Sequence, residues 1–277
     1  DYPLIVVSAG PGYGKTQAVA RFAAEIEHRV AWLNLSPLDN DTDHFWNSMI
    51  SALRPELAVL AEKLRKIDFP RTLKEFDDYI SIVADALGMS TETILVIDNY
   101  SLIEAKPIRT FIERMIQMQL AKLCVILIIN KREDEHLGPI LFGRDHWEIG
   151  ADSLCFSGEE VRRLFELHGC PIDDADLTKL MAATEGWPLP VYLMCRDYAR
   201  KGANQTLFVG PLAEINRLFK NGFFQEYDQK LQNMLISFAL LPSFSAEMIR
   251  HLAPEQLSEY LTLITNNIFI YYDYNNK

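Results

Sequence analysis

The chain opens with an apolar run, a glycine-rich loop and the start of a helix. The run covers residues 4–8, the loop contains Gly10, Gly12 and Gly14, and Lys15 stands where the helix begins. Glycines adopt positive φ without strain, so successive backbone N–H groups can point at one anion, and the amino end of a helix favours negative charge. This order of strand, loop and helix predicts a phosphate-binding loop and, with it, an α/β fold.

The loop follows the pattern G-x-x-x-x-G-K-[ST] except at its first position, where Ala9 is a small substitute for glycine. We expect Lys15 to bridge the β- and γ-phosphates of a nucleotide and Thr16 to place its hydroxyl on Mg²⁺. Such residues also occur together by chance in loops, but the flanking strand and helix favour a nucleotide site. The predicted nucleotide-binding residues of the loop are Gly10, Pro11, Gly12, Tyr13, Gly14, Lys15, Thr16 and Gln17.

Five apolar runs alternate with helical patterns along the first 150 residues. This alternation predicts a parallel five-stranded sheet covered by helices on both faces, the arrangement of AAA-like P-loop NTPases. In such sheets the functional residues lie just beyond the carboxyl ends of the strands. The runs cover residues 4–8, 30–35, 93–98, 123–129 and 146–149.

An acidic residue ends the third run. Asp98 stands where P-loop NTPases place the carboxylate that holds Mg²⁺, although an aspartate at a strand end can also serve only to cap a turn. Asn99 follows, where many hydrolysing enzymes have a second acid. An amide can orient water but cannot take its proton, so we expect slow hydrolysis with Lys15, Asp98 and Asn99 in catalytic positions.

A basic pair follows the fourth run. Arg132 is the predicted sensor of the γ-phosphate, with Lys131 as the weaker candidate, and simple exposure to solvent is the alternative for both. The six histidines are scattered without ligand spacing. We therefore expect no metal beyond nucleotide-bound Mg²⁺, held by Thr16 and Asp98.

The patterns indicate three domains. We expect a nucleotide-binding domain at residues 1–150, an all-helical domain at residues 151–221 and a truncated winged-helix-like domain at residues 222–277. Within the helical domain, Pro188 follows Gly186 and Trp187. A proline in this position is common in the first turn of a helix, and it could also lie against an adenine ring.

Charge and composition argue against several classes of function. A formal net charge of −11 argues against a broad nucleic-acid surface on this chain. The four cysteines form no C-x-x-C pair, which fits free thiols in a reducing compartment. No apolar run approaches the roughly 20 residues of a membrane span. These features favour a cytoplasmic protein that does not enter a membrane.

Four stretches together resemble the nucleotide-binding region of MalT-like regulators, which are LuxR-type transcription factors of the STAND class of signal-transduction ATPases. The order and spacing of these stretches match over nearly the whole chain. They are residues 8–16, residues 30–46 with Asp39-Asn40-Asp41 and Phe45-Trp46, residues 94–103, and residues 184–188.

This resemblance implies a P-loop domain, a helical domain and a winged-helix domain that close over ATP or ADP. In such proteins ADP holds a closed monomer, and an inducer together with ATP promotes self-association and transcription. The resemblance assigns an adenine contact to Pro188, and it places the DNA contact in a C-terminal domain outside these residues. The chain departs from the common Asp-Asp-Tyr-His pattern at Asn99 and Ser101, which weakens the assignment of a catalytic base.

Three functions are therefore open. The first is a nucleotide-controlled switch with weak ATPase activity. The second is an AAA-like motor or loader ATPase, which would show rapid turnover. The third is a small-molecule kinase, which would need an acceptor pocket and a base that the sequence does not indicate.

Overall fold

The computed structural model describes residues 2–88, 92–130, 141, 145–201 and 232–233. Backbone contacts divide the chain into two units, Asp1–Leu154 and Cys155–Lys277. The predicted boundary at residue 150 lies just before this division. The predicted domain at residues 222–277 lies outside the described residues, apart from 232 and 233.

A five-stranded parallel sheet forms the centre of the first unit, in the order β2-β3-β4-β1-β5. The predicted α/β fold is confirmed, and the second strand differs from its prediction by one residue. The strands are β1 (Leu4–Ser8), β2 (Arg29–Asn34), β3 (Thr93–Asp98), β4 (Leu123–Ile129) and β5 (His146–Ile149).

β1 lies between β4 and β5, and this position decides where a ligand can bind. The chain leaves β1 for the far edge of the sheet at β2, then returns strand by strand through β3 to β4. It next crosses over β1 to reach β5. The direction of winding therefore changes beside β1, and open α/β sheets bind ligands at the carboxyl ends of the strands at such a point.

In the part of the chain that the structure describes, five helices surround the sheet and three more belong to the second unit. The predicted helices on both faces of the sheet are present. The first five are α1 (Lys15–Glu25), α2 (Thr42–Leu53), α3 (Ala58–Leu64), α4 (Leu73–Gly88) and α5 (Lys106–Gln117). The other three are α6 (Gly158–Leu167), α7 (Asp174–Thr184) and α8 (Pro188–Lys201). Short 3-10 helices cover Pro37–Asn40, Tyr100–Leu102 and Ala151–Ser153.

Side chains alternate between the two faces of the sheet, as they do in any β-strand. One face packs against α2 to α5 through buried residues such as Leu33, Ile97 and Leu127. The other face packs against α1 through Val19, with Val96 of β3 and Ile126 of β4. The aromatic residues of α2 join the first of these cores. Their cluster contains Phe45, Trp46, Phe69, Phe76, Tyr79 and Phe111.

The second unit has a separate core. Phe165 of α6, Leu180 of α7 and Val191 of α8 are fully buried within it. A capping box starts α6, because the Ser157 and Glu160 side chains each bond to the other's backbone N–H. All four cysteines are free thiols. Among the described residues, no helix has the length and hydropathy needed to cross a membrane.

Candidate nucleotide-binding site

The glycine-rich loop has the backbone geometry that an anion site requires. Gly12 and Gly14 have φ values of 78° and 73°, which L-residues with a side chain rarely adopt. A Cβ built on Gly14 would meet no atom within 4 Å, so the loop is open at that point. α1 begins at the next residue, and the first amides of a helix have no partner within the helix. The loop therefore places backbone N–H groups at the positive end of a helix.

Lys15 brings a buried cation to this loop. Its side chain is only 7% exposed, and its Nζ donates a hydrogen bond of 2.8 Å to the carbonyl oxygen of Gly10. Burial lowers the pKa of Lys15 to about 8, and the negative charge of Asp98 opposes part of this shift. A phosphate group would supply the negative charge that a buried ammonium group lacks.

Thr16 and Asp98 meet although they are far apart in sequence. The Thr16 hydroxyl donates to Oδ2 of Asp98 at 2.9 Å, and Asp98 is 3% exposed. The other carboxylate oxygen accepts the backbone N–H of Asn99 at 2.8 Å. Hydroxyl and carboxylate oxygens are hard ligands of the kind that Mg²⁺ prefers, so this pair fits a nucleotide-bound magnesium ion.

Asn99 has a left-handed backbone, with φ at 60°, which asparagine tolerates better than most residues. Its Nδ2 donates to Oδ1 of Asn34 at 2.9 Å. Asn34 belongs to no motif in the sequence. Its position could have indicated it, because Asn34 ends β2 and pairs in register with Asp98 of the adjacent β3.

A second polar residue missed by the sequence analysis follows β4. The backbone N–H of Asn130 donates to the Ser101 hydroxyl at 3.1 Å, which joins the end of β4 to the segment after Asp98. β4 lies between β3 and β1, so Asn130 stands at the same end of the sheet as the loop. The predicted sensor Arg132 and its alternative Lys131 lie outside the described residues.

Pro188 is the first residue of α8, in the second unit. Gly186 before it has φ at 79°, and its carbonyl accepts the N–H of Phe156 at 2.8 Å. A Cβ at Gly186 would lie 2.2 Å from the carbonyl oxygen of Phe156, so only glycine fits this corner. The predicted contact between Pro188 and adenine stays a prediction.

Known proteins show what the chain is similar to. No family model matches the chain. The chain is 21% identical over 268 residues to the HTH-type transcriptional regulator MalT of Yersinia pestis (strain Pestoides F), which covers 94% of the chain and 30% of that protein. MalT of Klebsiella pneumoniae (strain 342) is 21% identical over 266 residues, 92% of the chain and 29% of that protein.

The resemblance to MalT-like regulators is confirmed. This MalT-like chain spans about 30% of the length of the curated relatives it matches. Among solved structures it is similar to the Walker-type ATPase PABY2304 of Pyrococcus abyssi, with a TM-score of 0.62 and 14% identity. That match covers 95% of the chain and 79% of the ATPase, and it confirms the P-loop ATPase fold.

Proposed function

We propose that this chain is the nucleotide-binding region of a cytoplasmic, MalT-like transcriptional regulator. ATP and ADP would each favour one of two conformational states of the protein. Adenine nucleotide would bind with Mg²⁺ at the loop of residues 10–17. The relatives are named transcriptional regulators, and the chain has the P-loop ATPase fold. A regulator with this fold needs a nucleotide site, and the geometry described above supports one.

The observation that carries the proposal is the 2.9 Å hydrogen bond between Thr16 and Asp98, beside the buried Lys15. Thr16 and Asp98 would hold Mg²⁺, which in P-loop enzymes bridges the β- and γ-oxygens and neutralises charge as it develops. Lys15 would balance the charge of the phosphates, and the loop amides would bind their oxygens. A bound polyphosphate would add negative charge beside the buried Lys15, whose partners in the structure are the Gly10 carbonyl and the charge of Asp98.

Slow hydrolysis follows from Asn99. Its Nδ2 is engaged with Asn34, so its Oδ1 remains to accept a hydrogen bond from water. An amide oxygen cannot remove a proton, and the chemical step would therefore lack a general base at this position. Weak ATPase activity suits a switch, because the ATP-bound state must last longer than the catalytic cycle of a metabolic enzyme. In this scheme Arg132 would sense the γ-phosphate.

The switch itself would act through the domains that follow. Pro188 would contact the adenine ring and couple the helical unit to the nucleotide. ATP, together with an inducer, would promote self-association, and DNA would be bound by a separate C-terminal domain. To move a population from 1:99 to 99:1, a ligand must favour one state by about 5.5 kcal/mol.

An AAA-like motor is the alternative that turnover can separate from a switch. A motor needs many cycles of hydrolysis per minute, and the amide of Asn99 opposes such a rate. Steady-state ATPase measurement on the wild-type chain and on Lys15→Ala decides between them. A kinase would instead transfer phosphate to an added metabolite in a coupled assay.

The test of the switch is the nucleotide that the protein carries. Purified protein is denatured, and the released nucleotides are separated and identified. Retention of ADP through purification by the wild-type chain, and its absence from Lys15→Ala, supports the proposal. Rapid turnover with no retained nucleotide would contradict a switch and favour the motor.

A further inference from the structure

Asn40 lies after β2 and forms hydrogen bonds to the segment that follows β3. It is the last residue of the 3-10 helix after β2. Its Nδ2 donates to the carbonyl oxygens of Pro37 at 3.1 Å and Leu102 at 2.9 Å. Its Oδ1 accepts the backbone N–H groups of Glu104 at 2.7 Å and Ala105 at 2.8 Å. All four hydrogen-bonding positions of the amide are therefore used.

The segment it holds comes directly after Asp98, and we name residues 99–105 the Asp98 loop. Tyr100 and Ile103 of this loop are buried to 1% and 0% exposure, so its middle is fixed by apolar packing. Its end leads into α5, whose N-cap residue Ala105 makes no side-chain capping bond. Asn40 thus accepts the backbone N–H groups of the N-cap residue Ala105 and of Glu104 before it, and so fixes the chain just ahead of the first turn of α5.

The residues on either side of Asn40 keep it in place. Asp39 is 1% exposed and accepts the backbone N–H and the hydroxyl of Ser36, each at 2.7 Å. Asp41 caps α2 by accepting the backbone N–H groups of Asp43 and His44. Asp39 also contacts His44 Nδ1 at 2.9 Å and the Ser48 side chain, so both aspartates bond within residues 36–48. Of these three consecutive side chains, that of Asn40 bonds to the segment after β3.

We infer that Asn40 is a positioning residue that holds the Asp98 loop so that Asn99, its first residue, stays against Asn34 and faces the nucleotide site. Asn40 bonds to no residue of the phosphate-binding loop in the structure described here. Losing its contacts should therefore slow hydrolysis more than it weakens binding. The inference rests on the proposed function, because it concerns the reaction of the same nucleotide.

The test compares Asn40→Ala with Asn40→Asp. A misplaced group near the reacting atoms can cost a large factor in rate, and we expect Asn40→Ala to lower kcat about tenfold while KM and the Kd for ADP stay within about twofold. Asn40→Asp keeps the acceptor for Glu104 and Ala105 and loses both donated bonds. Its kcat should lie between those of the wild type and Asn40→Ala.

Asn47→Ala is the matched control. Asn47 is an exposed asparagine on α2, and its Nδ2 donates one bond to the carbonyl oxygen of Asp43 at 2.8 Å. This variant should keep the wild-type kcat. Hydrogen exchange in the nucleotide-free chain adds a second readout: the amides of Glu104 and Ala105 should exchange faster in Asn40→Ala and unchanged in Asn47→Ala.

Three outcomes would overturn the inference. One is a kcat of Asn40→Ala within twofold of wild type, and another is an equal loss of kcat and ADP affinity, which would indicate general destabilisation. The third is nucleotide binding by the wild-type chain with no turnover at all, which would leave the binding part of the proposed function intact. Absence of nucleotide binding by the wild-type chain overturns the proposed function itself.

Discussion

Gly14 and Gly186 both have a positive φ and differ in their surroundings. Their φ values are 73° and 79°. Gly14 directly precedes α1, and Gly186 lies two residues before the start of α8. A Cβ on Gly14 would meet nothing within 4 Å, whereas a Cβ on Gly186 would lie 2.2 Å from a backbone oxygen. The first glycine lies at an open surface, where we propose that the nucleotide binds, and the second permits close packing within the protein.

Substituting both glycines is the strongest test of this difference. Gly186→Ala should lower the free energy of unfolding by about 4 kcal/mol, because the left-handed φ costs about 1–2 kcal/mol and the backbone at Phe156 must also move. Gly14→Ala should cost only about 1–2 kcal/mol, since its φ is its sole conflict. Chemical denaturation of both variants measures the two values. Equal losses would mean that the packing at Gly186 is not what requires glycine.

Removing the Lys15 cation tests whether the open loop at Gly14 binds a ligand. Lys15→Ala should reduce the affinity for Mg-ADP by about a hundredfold, because the phosphates lose a buried charged partner. The free energy of unfolding should stay unchanged or rise, since burying the ammonium group is unfavourable by itself. Titration calorimetry and denaturation measure these effects, with the exposed Lys179→Ala as control. A similar affinity for both variants would refute the role of Lys15.

Restoring an acid tests why hydrolysis should be slow. Asn99→Asp should raise the ATPase rate by at least about tenfold, because a carboxylate can accept the proton of the attacking water. Asn34 can rotate its amide and donate to the new carboxylate, so the contact between the two side chains is kept. The steady-state rate at saturating ATP measures the effect. An unchanged rate would show that water is activated from another position.

The smallest expected effect is a dependence of affinity on pH. Burial lowers the pKa of Lys15 to about 8, and bound phosphate raises this pKa again. Above pH 8 the free protein must therefore take up a proton to bind, and affinity should fall with rising pH by up to about tenfold per unit. Lys15→Arg should remove the slope, because guanidinium keeps its charge. Calorimetry from about pH 7 to about pH 9.5 measures it, and a flat wild-type profile would contradict the assignment.

Most of the fold could be predicted because parallel strands buried on both faces are continuous apolar runs. β3 and β4 illustrate this, with every residue of β3 buried. The sequence pattern of α5 is equally clear, because buried residues such as Ile108, Phe111 and Met115 recur at helical spacing among charged ones. The order of the strands is set by which runs pair, and this pairing is a tertiary property that periodicity does not contain.

The site was predictable where function requires one residue type at fixed spacing. Lys15, Thr16 and Asp98 belong to this class, and the structure brings Thr16 and Asp98 into direct contact. Asn34 and Asn40 do not belong to this class. Their hydrogen-bond partners, Asn99 and Leu102, lie 65 and 62 residues further along the chain. A polar residue at the end of a strand acquires such a role only once the neighbouring strand is known.

Titration of the nucleotide-stripped wild-type chain with Mg-ADP and Mg-ATP tests the central claim most directly, since it asks whether the loop around Gly14 and Lys15 binds a polyphosphate at all. The account predicts saturable binding of one nucleotide per chain, with the heat lost in Lys15→Ala. Absence of heat with both nucleotides, from a chain shown to be folded, would contradict it.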